Sequence, residues 1–118
     1  AILGITFKEN CPDTRNSKVV DIIKRLQEYG INPVVADPIA DADETKKEYG
    51  IDLVGLDSIK DADCVVFAVP HNELKNLTWE QIDSMFLKCD NSEKIIVDVR
   101  SIFDRKELES RGYSYWRL

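Results

Sequence analysis

The chain has 118 residues, which suits one domain with a buried core and leaves no room for a second. Apolar residues make up 43% and charged residues 32%, as in an ordinary globular protein. The net charge of −6 argues against a nucleic-acid partner bound through its phosphates. It leaves open the binding of a small anion, because a few local cations can dominate a pocket.

The first half of the chain predicts two buried strands joined by a helix. Residues 2–5 form a short apolar run that predicts a strand, and a polar loop follows. A stripe of apolar residues with helical spacing predicts a helix over 17–29, with Asn16 or Ser17 as its cap and Gly30 as its end. Residues 31–37 predict the second strand.

The next segments predict a helix over 41–49 stopped by Gly50, a short edge strand at 52–54 and one helical turn at 57–61. Residues 64–69 are the most apolar run of the chain and predict a central strand buried on both faces, which places Cys64 in the core.

The last third predicts two helix–strand pairs. Thr78 to Gln81 resembles a capping box for a helix ending near 87, and residues 94–99 predict another buried strand. Asp104 is expected to cap a helix ending near Gly112, and residues 113–116 form the last strand. Trp79 and Trp116 are interpreted as packing residues.

Strands thus alternate with helices, and the central strands are continuous apolar runs. This pattern is typical of an α/β fold with an open parallel sheet and helices on both faces. Short connections and right-handed crossovers favour a Rossmann-like strand order. Residues 1–118 are therefore expected to form a single domain.

Ligands of such sheets bind at the carboxyl ends of the strands. On this prediction Lys8 and Arg15 follow the first strand and Arg100 follows the fifth. Together with a helix N-terminus at Ser17 they could form an anion-binding rim. The alternative is that each is a solvated cation on a loop.

Other polar residues favour structural roles. No G-x-G-x-x-G follows the first strand, so an NAD site within this chain is not predicted. Asp37 is interpreted as a cap or turn residue before Pro38, and His71 as a surface or hydrogen-bonding residue rather than a general base.

Three cysteines without C-x-x-C spacing and one histidine exclude a disulfide scaffold and a cysteine-based zinc site, so no metal is predicted. Free thiols indicate a reducing, cytoplasmic setting. No segment approaches the about 18 apolar residues of a membrane span, and no signal peptide is visible, so no membrane partner is expected. The chain begins inside an apolar run, which suggests a fragment of a longer polypeptide.

The segment from Gly4 to Ser17 resembles the G-x-x-F-K-x-x-x-x-D-x-R-x-S segment of the UDP-glucose/GDP-mannose dehydrogenase family. Further similarities follow in order at Asp37-Pro38, at the apolar strand ending near Pro70, and at Asp98-Val99-Arg100, where the UDP-glucose branch has D-G-R. The resemblance covers essentially the whole chain. The sequence of residues 10–17 most resembles the branch of the family that acts on UDP-N-acetylhexosamines.

The resemblance implies the C-terminal, nucleotide-sugar-binding domain of an NAD-dependent 6-dehydrogenase that oxidises a sugar C6 alcohol to a carboxylate for polysaccharide synthesis. It implies that Phe7, Lys8 and Arg100 contact the UDP-sugar and that Arg15 reaches NAD bound on an N-terminal domain. The catalytic cysteine and the NAD fingerprint would lie outside this chain, so the fragment is expected to be inactive alone. The full-length enzyme is expected to be a homodimer.

Two other functions remain open at this stage. The chain could be a stand-alone regulatory module that binds a nucleotide without catalysis, or a structural lid or dimer domain without ligand contacts. Lys8→Ala and Arg100→Ala in the full-length enzyme would separate these functions from the enzyme domain, because an unchanged turnover and an unchanged Michaelis constant for the nucleotide sugar would exclude the ligand contacts.

Overall fold

The strands form one parallel sheet. The structure is a computed structural model that describes residues 1–117. Six strands lie in the order β3-β2-β1-β4-β5-β6, and every neighbouring pair is parallel. The strands are β1 Ile2–Leu3, β2 Val35–Ala36, β3 Leu53–Val54, β4 Cys64–Phe67, β5 Ile95–Asp98 and β6 Ser114–Arg117. The Rossmann-like order predicted from the sequence is confirmed.

Over residues 1–117, five helices cover the two faces of this sheet. They are α1 Val19–Glu28, α2 Ala42–Tyr49, α3 Asn72–Lys75, α4 Trp79–Met85 and α5 Arg105–Ser110, with 3₁₀ turns at Leu56–Ser58 and Asn91–Glu93. The buried face of α1 packs with β1 and β2 in one apolar cluster. Ile82 of α4 and Leu108 of α5 pack in a second cluster on the opposite face. Helices therefore lie on both faces, as predicted.

Helix ends follow the sequence signals except at α1. The Asp41 side chain caps α2, and the predicted capping box of Thr78 and Gln81 opens α4. The predicted cap of α1 is wrong, because Lys18 occupies the N-cap position and makes no side-chain cap bond. The Ser17 hydroxyl is instead buried without a hydrogen-bond partner among residues 1–117.

The prediction that β4 is buried on both faces is wrong in part. Val65 and Phe67 are fully buried, whereas Cys64 is half-buried and is not the core residue expected. The cause is the placement of the helices. Those that pack against the β5 and β6 half of the sheet lie on one face, which leaves Ile95 40% and Trp116 69% exposed on the other. Trp116 is therefore not the packing residue predicted.

Gly4 directly follows β1 and lies against Val69, two residues after the end of β4. Its φ is +95°, a backbone conformation that residues other than glycine rarely adopt. A Cβ atom added there would lie 2.7 Å from Cβ of Val69 and 2.9 Å from its backbone nitrogen. Both constraints require glycine at the point where the chain leaves β1.

We expect Gly4→Ala to lower the free energy of unfolding by about 3 kcal/mol, the sum of a left-handed backbone and an overpacked contact. Gly30→Ala is the matched control, because Gly30 also has a positive φ, of +77°, but no atom lies within 4 Å of an added Cβ. Urea unfolding of both variants measures the difference. Equal losses would show that the contact with Val69 is unimportant.

Candidate functional site

The carboxyl ends of the central strands meet around the buried carboxylate of Asp37. Its Oδ2 accepts hydrogen bonds from the backbone N–H of Ile5 at 2.7 Å and, more weakly, of Thr6 at 3.3 Å. Its Oδ1 accepts from the N–H groups of Ile39 at 2.8 Å and Ala40 at 2.9 Å. Asp37 therefore ties the exit of β1 to the turn after β2, which extends the structural role predicted for it.

His71 completes this arrangement from the end of the neighbouring strand. Its side chain is fully buried, with Nε2 2.9 Å from Oδ2 of Asp37 and 3.1 Å from Oγ1 of Thr6. Nδ1 accepts a hydrogen bond from the Asn10 N–H at 2.9 Å. Because Nδ1 is an acceptor, the proton of the neutral ring is on Nε2. Both nitrogens are occupied, so neither is free to act as a general base.

The loop after β1 is closed by its own hydrogen bonds. The Thr6 hydroxyl donates to the carbonyl of Lys8 at 2.9 Å, and the Phe7 N–H donates to the carbonyl of Asp13 at 2.8 Å. Asn10, at a φ of +57°, accepts from the N–H of Asn72 through Oδ1. With the main chain held in this way, the side chains of Phe7, 57% exposed, and Lys8 lie at the surface.

A second buried carboxylate holds the loop that carries Arg100. Oδ1 and Oδ2 of Asp98 accept from the N–H groups of Ile102 at 2.9 Å and Phe103 at 3.0 Å. The guanidinium of Arg100 then lies 3.9 Å from the carboxylate of Glu9, the residue after Lys8. The loops after β1 and β5 are thus neighbours, and the two cations lie on the same side of the molecule.

Arg15 is placed differently from the other two predicted site cations. It makes a two-pronged ion pair with Asp13, through Nε at 3.0 Å and Nη2 at 2.9 Å, and its side chain is 77% exposed. Hydrogen bonds from Arg15 lower the pKa of Asp13 to about 2. In turn, the hydrogen bond to Asp13 raises the pKa of Arg15, and the negative charge of Glu44 on α2 adds to that effect. Arg15 is thus paired with Asp13, whereas Arg100 faces Glu9, the residue beside Lys8.

The opposite edge of the sheet carries an apolar groove rather than a charged site. It lies at the amino ends of the strands, between the end of α1 and the segment before β4. Its walls include Ile31, Val34 and Ile59, with Lys60 at the rim. Few polar groups converge there, so the edge that holds Asp37 and Arg100 is the better candidate for a ligand of high charge.

Within residues 1–117 no group of three or more His, Cys, Asp or Glu side chains is arranged to hold a metal ion. Across the same residues, none of the helices has the length and apolar character needed to span a membrane. Lys8 and Arg100, both exposed cations, are the predicted site residues that could bind an anion at the Asp37 edge.

Sequence reasoning missed the network that links Asp37, His71, Thr6 and Asn10. Each of these residues ends or follows one of the predicted strands, and parallel strands end at the same edge of the sheet, so a signal was present. What the sequence did not reveal is that all four would be joined by hydrogen bonds. That depends on the left-handed backbone of Asn10, which turns its N–H toward the ring.

Comparison with known proteins identifies the family. A model of the UDP binding domain of the UDP-glucose/GDP-mannose dehydrogenase family matches residues 1–105. The chain belongs to the UDP-glucose/GDP-mannose dehydrogenase family. The resemblance noted in the sequence is therefore confirmed, and the match covers the loops of Lys8 and Arg100.

Individual members of the UDP-glucose/GDP-mannose dehydrogenase family agree with this. The chain is 42% identical to Protein CapL of Staphylococcus aureus over 99% of its own length and 26% of that protein. It is 41% identical to the UDP-N-acetyl-D-glucosamine 6-dehydrogenase of Pseudomonas aeruginosa over 93% of the chain and 25% of the relative. It thus spans about a quarter of the curated relatives that it matches.

Solved structures show the same fold. The NDP-N-acetyl-D-galactosaminuronic acid dehydrogenase of Methanosarcina mazei Go1 superposes with a TM-score of 0.77 at 21% identity, over 99% of this chain and 23% of that one. The UDP-N-acetyl-mannosamine dehydrogenase Cap5O of S. aureus gives a TM-score of 0.66 at 23% identity, over 98% of this chain and 24% of that one.

The Asp37 network makes stability depend on pH in acid. Burial by itself would raise the pKa of Asp37, but the hydrogen bonds from His71, Ile5, Ile39 and Ala40 outweigh it and hold that pKa below its ordinary value of 3.8. A carboxyl whose pKa is lower in the folded state contributes stability above its unfolded pKa and loses it as the pH falls through the folded value.

We therefore expect Asp37→Asn to cost about 3 kcal/mol at pH 7, because an amide nitrogen would face several N–H donors, and much less near pH 2. Urea unfolding from pH 2 to pH 7 measures this. Asp13→Asn is the control, since its ion pair with Arg15 is exposed and screened by solvent. If the loss of unfolding free energy caused by Asp37→Asn did not change with pH, the conclusion that folding lowers the pKa of Asp37 would be wrong.

Proposed function

We propose that this chain is the nucleotide-sugar-binding domain of an NAD-dependent UDP-sugar 6-dehydrogenase, and that Phe7, Lys8 and Arg100 bind the UDP-sugar. The observation that carries the proposal is the contact between the Arg100 guanidinium and Glu9, which brings the loop of Lys8 beside that of Arg100. The family match to a UDP binding domain supports the same ligand.

The chemistry of a diphosphate suits this edge of the sheet. An ammonium and a guanidinium on adjacent loops can each make charge-assisted hydrogen bonds to phosphate oxygens. Glu9 is the competitor that a diphosphate would displace from Arg100, at little cost because both side chains are about half exposed. Holding the diphosphate fixes the sugar relative to the reacting groups, and such positioning can lower a barrier by several kcal/mol.

The remaining parts of the reaction are assigned to a longer polypeptide. The matched relatives are about four times as long as the aligned segment, which leaves room for an N-terminal domain that binds NAD and carries the catalytic cysteine. We assign Arg15 to contact with NAD on that domain. Its ion pair with Asp13 is exposed, so exchanging the partner for a cofactor phosphate would cost little. A cytoplasmic homodimer fits this assignment.

The substrate is proposed to be a UDP-N-acetylhexosamine. The names of several matched relatives support this, among them the UDP-N-acetyl-D-glucosamine 6-dehydrogenase of P. aeruginosa and the UDP-N-acetyl-D-mannosamine dehydrogenase of Methanococcus maripaludis. The residue before Arg100 is Val99, where the UDP-glucose branch has glycine, which also favours a substrate other than UDP-glucose.

The test is titration of the chain with UDP, followed by NMR or calorimetry. Lys8→Ala and Arg100→Ala are each expected to weaken binding by roughly 10-fold to 100-fold, because each removes a hydrogen bond between charged groups. Lys60→Ala and Arg25→Ala are the matched controls. Lys60 lies at the opposite edge of the sheet, and Arg25 is an exposed arginine near the end of α1 whose ion pair with Glu28 resembles that of Arg100.

The controls are expected to bind UDP as the unchanged chain does. If all four variants bind UDP equally well, the assigned contacts are wrong. In the full-length enzyme the same two site variants should raise the KM for UDP-N-acetylhexosamine. If the unchanged enzyme had a lower KM for UDP-glucose than for UDP-N-acetylhexosamine, the proposed substrate would be wrong.

A further inference from the structure

We propose that Thr6 and His71 are positioning residues that fix the main chain of Lys8 and so aim its ammonium at the ligand. The inference rests on the proposed UDP site and concerns two residues to which neither the family match nor the sequence gave a role in binding. Neither residue is placed to touch the ligand, because Thr6 is 2% exposed and His71 is fully buried.

The hydrogen bonds form a relay with one direction. The N–H at Nε2 of His71 is shared between two acceptors. Oδ2 of Asp37 lies 2.9 Å from Nε2, and Oγ1 of Thr6 lies 3.1 Å from it. Because Oγ1 is an acceptor from the ring, its own proton is free to donate, and it does so to the carbonyl of Lys8 at 2.9 Å. The relay thus ends on the residue whose side chain is assigned to the ligand.

The other side of the imidazole fixes the same loop two residues further on. Nδ1 accepts from the N–H of Asn10, and Oδ1 of Asn10 accepts from the N–H of Asn72, the residue after His71. Lys8 therefore lies between two points anchored to His71, one through Thr6 and one through Asn10. Its exposed side chain extends from a main chain that has little freedom to move.

A solvated loop would not require this arrangement. Burying an imidazole and a carboxylate is costly unless each is satisfied by hydrogen bonds, and here all but one of the donors to Asp37 are backbone N–H groups. Packing alone could be met by apolar side chains at these positions. The polar relay is explained if its hydrogen bonds fix the main chain of the loop that carries Lys8.

The decisive experiment compares two buried threonines in the UDP titration. Thr6→Val keeps the shape of the side chain and removes the bond to Lys8, and we expect UDP binding about tenfold weaker. Thr6→Ser keeps the hydroxyl and should restore the affinity. Thr45→Val is the matched control, because the Thr45 hydroxyl is equally buried and donates to a backbone carbonyl, that of Asp41, at the start of α2.

A purely structural role would lower the melting temperatures of Thr6→Val and Thr45→Val while leaving both UDP affinities unchanged, and that result would overturn the proposal. Failure of Thr6→Ser to restore binding would do the same. Should Thr6→Val not fold, His71→Gln decides. Its amide nitrogen can take the place of Nε2 and donate to Asp37 and Thr6, but it leaves the Asn10 N–H without its acceptor. A folded variant should therefore bind UDP more weakly than the unchanged chain, and an unchanged affinity would overturn the proposal.

The same titration separates this inference from the proposed function. If Lys8→Ala does not weaken UDP binding, the UDP site itself is misplaced and the relay has no ligand to serve. If Lys8→Ala weakens binding and Thr6→Val leaves it intact, the site is correct and the positioning role is wrong. A ¹⁵N spectrum of the unchanged chain checks the tautomer, with the proton expected on Nε2 of His71.

Discussion

One buried carboxylate organises the edge of the sheet at which the central strands end. Asp37 accepts hydrogen bonds from four backbone N–H groups and from His71, and these donors come from the exits of β1, β2 and β4. A charge in the interior is stable only when it is satisfied in this way. The segments that follow these three strands must therefore keep their relative positions. The conformation of the loop that carries Lys8 thus depends on Asp37, which follows a different strand.

Asp98 repeats the device at the end of β5. It is fully buried and accepts from the N–H groups of Ile102 and Phe103, which curls the chain around Arg100. In both places a carboxylate inside the sheet edge fixes a main-chain loop, and a cation on that loop remains exposed. The buried acids set the backbone, and the exposed side chains of Lys8 and Arg100 are the ones that we propose to bind the ligand anion.

Much of the fold could be predicted because it depends on local patterns. Apolar runs located all six strands, and the signals at Asp41, Thr78 and Gly30 marked helix boundaries close to those observed. Apart from the cap of α1, the failures concern tertiary packing. Neither the half-buried Cys64 nor the exposed Trp116 can be read from hydrophobicity, because their exposure depends on which face each helix covers.

The site shows the same boundary between local and tertiary information. The cations and their strand ends were visible in the sequence, and the adjacency of the Lys8 and Arg100 loops follows from the strand order, since β1 and β5 both flank β4. The ion pair of Arg15 with Asp13 and the nearby acidic start of α2 were not visible, because both depend on how the loop after β1 folds. On a chain of net charge −6 several cations are paired with acidic side chains, so the number of positive residues says little about an anion site. What distinguishes Lys8 and Arg100 is that buried carboxylates fix the backbones beneath them while their own charges remain exposed.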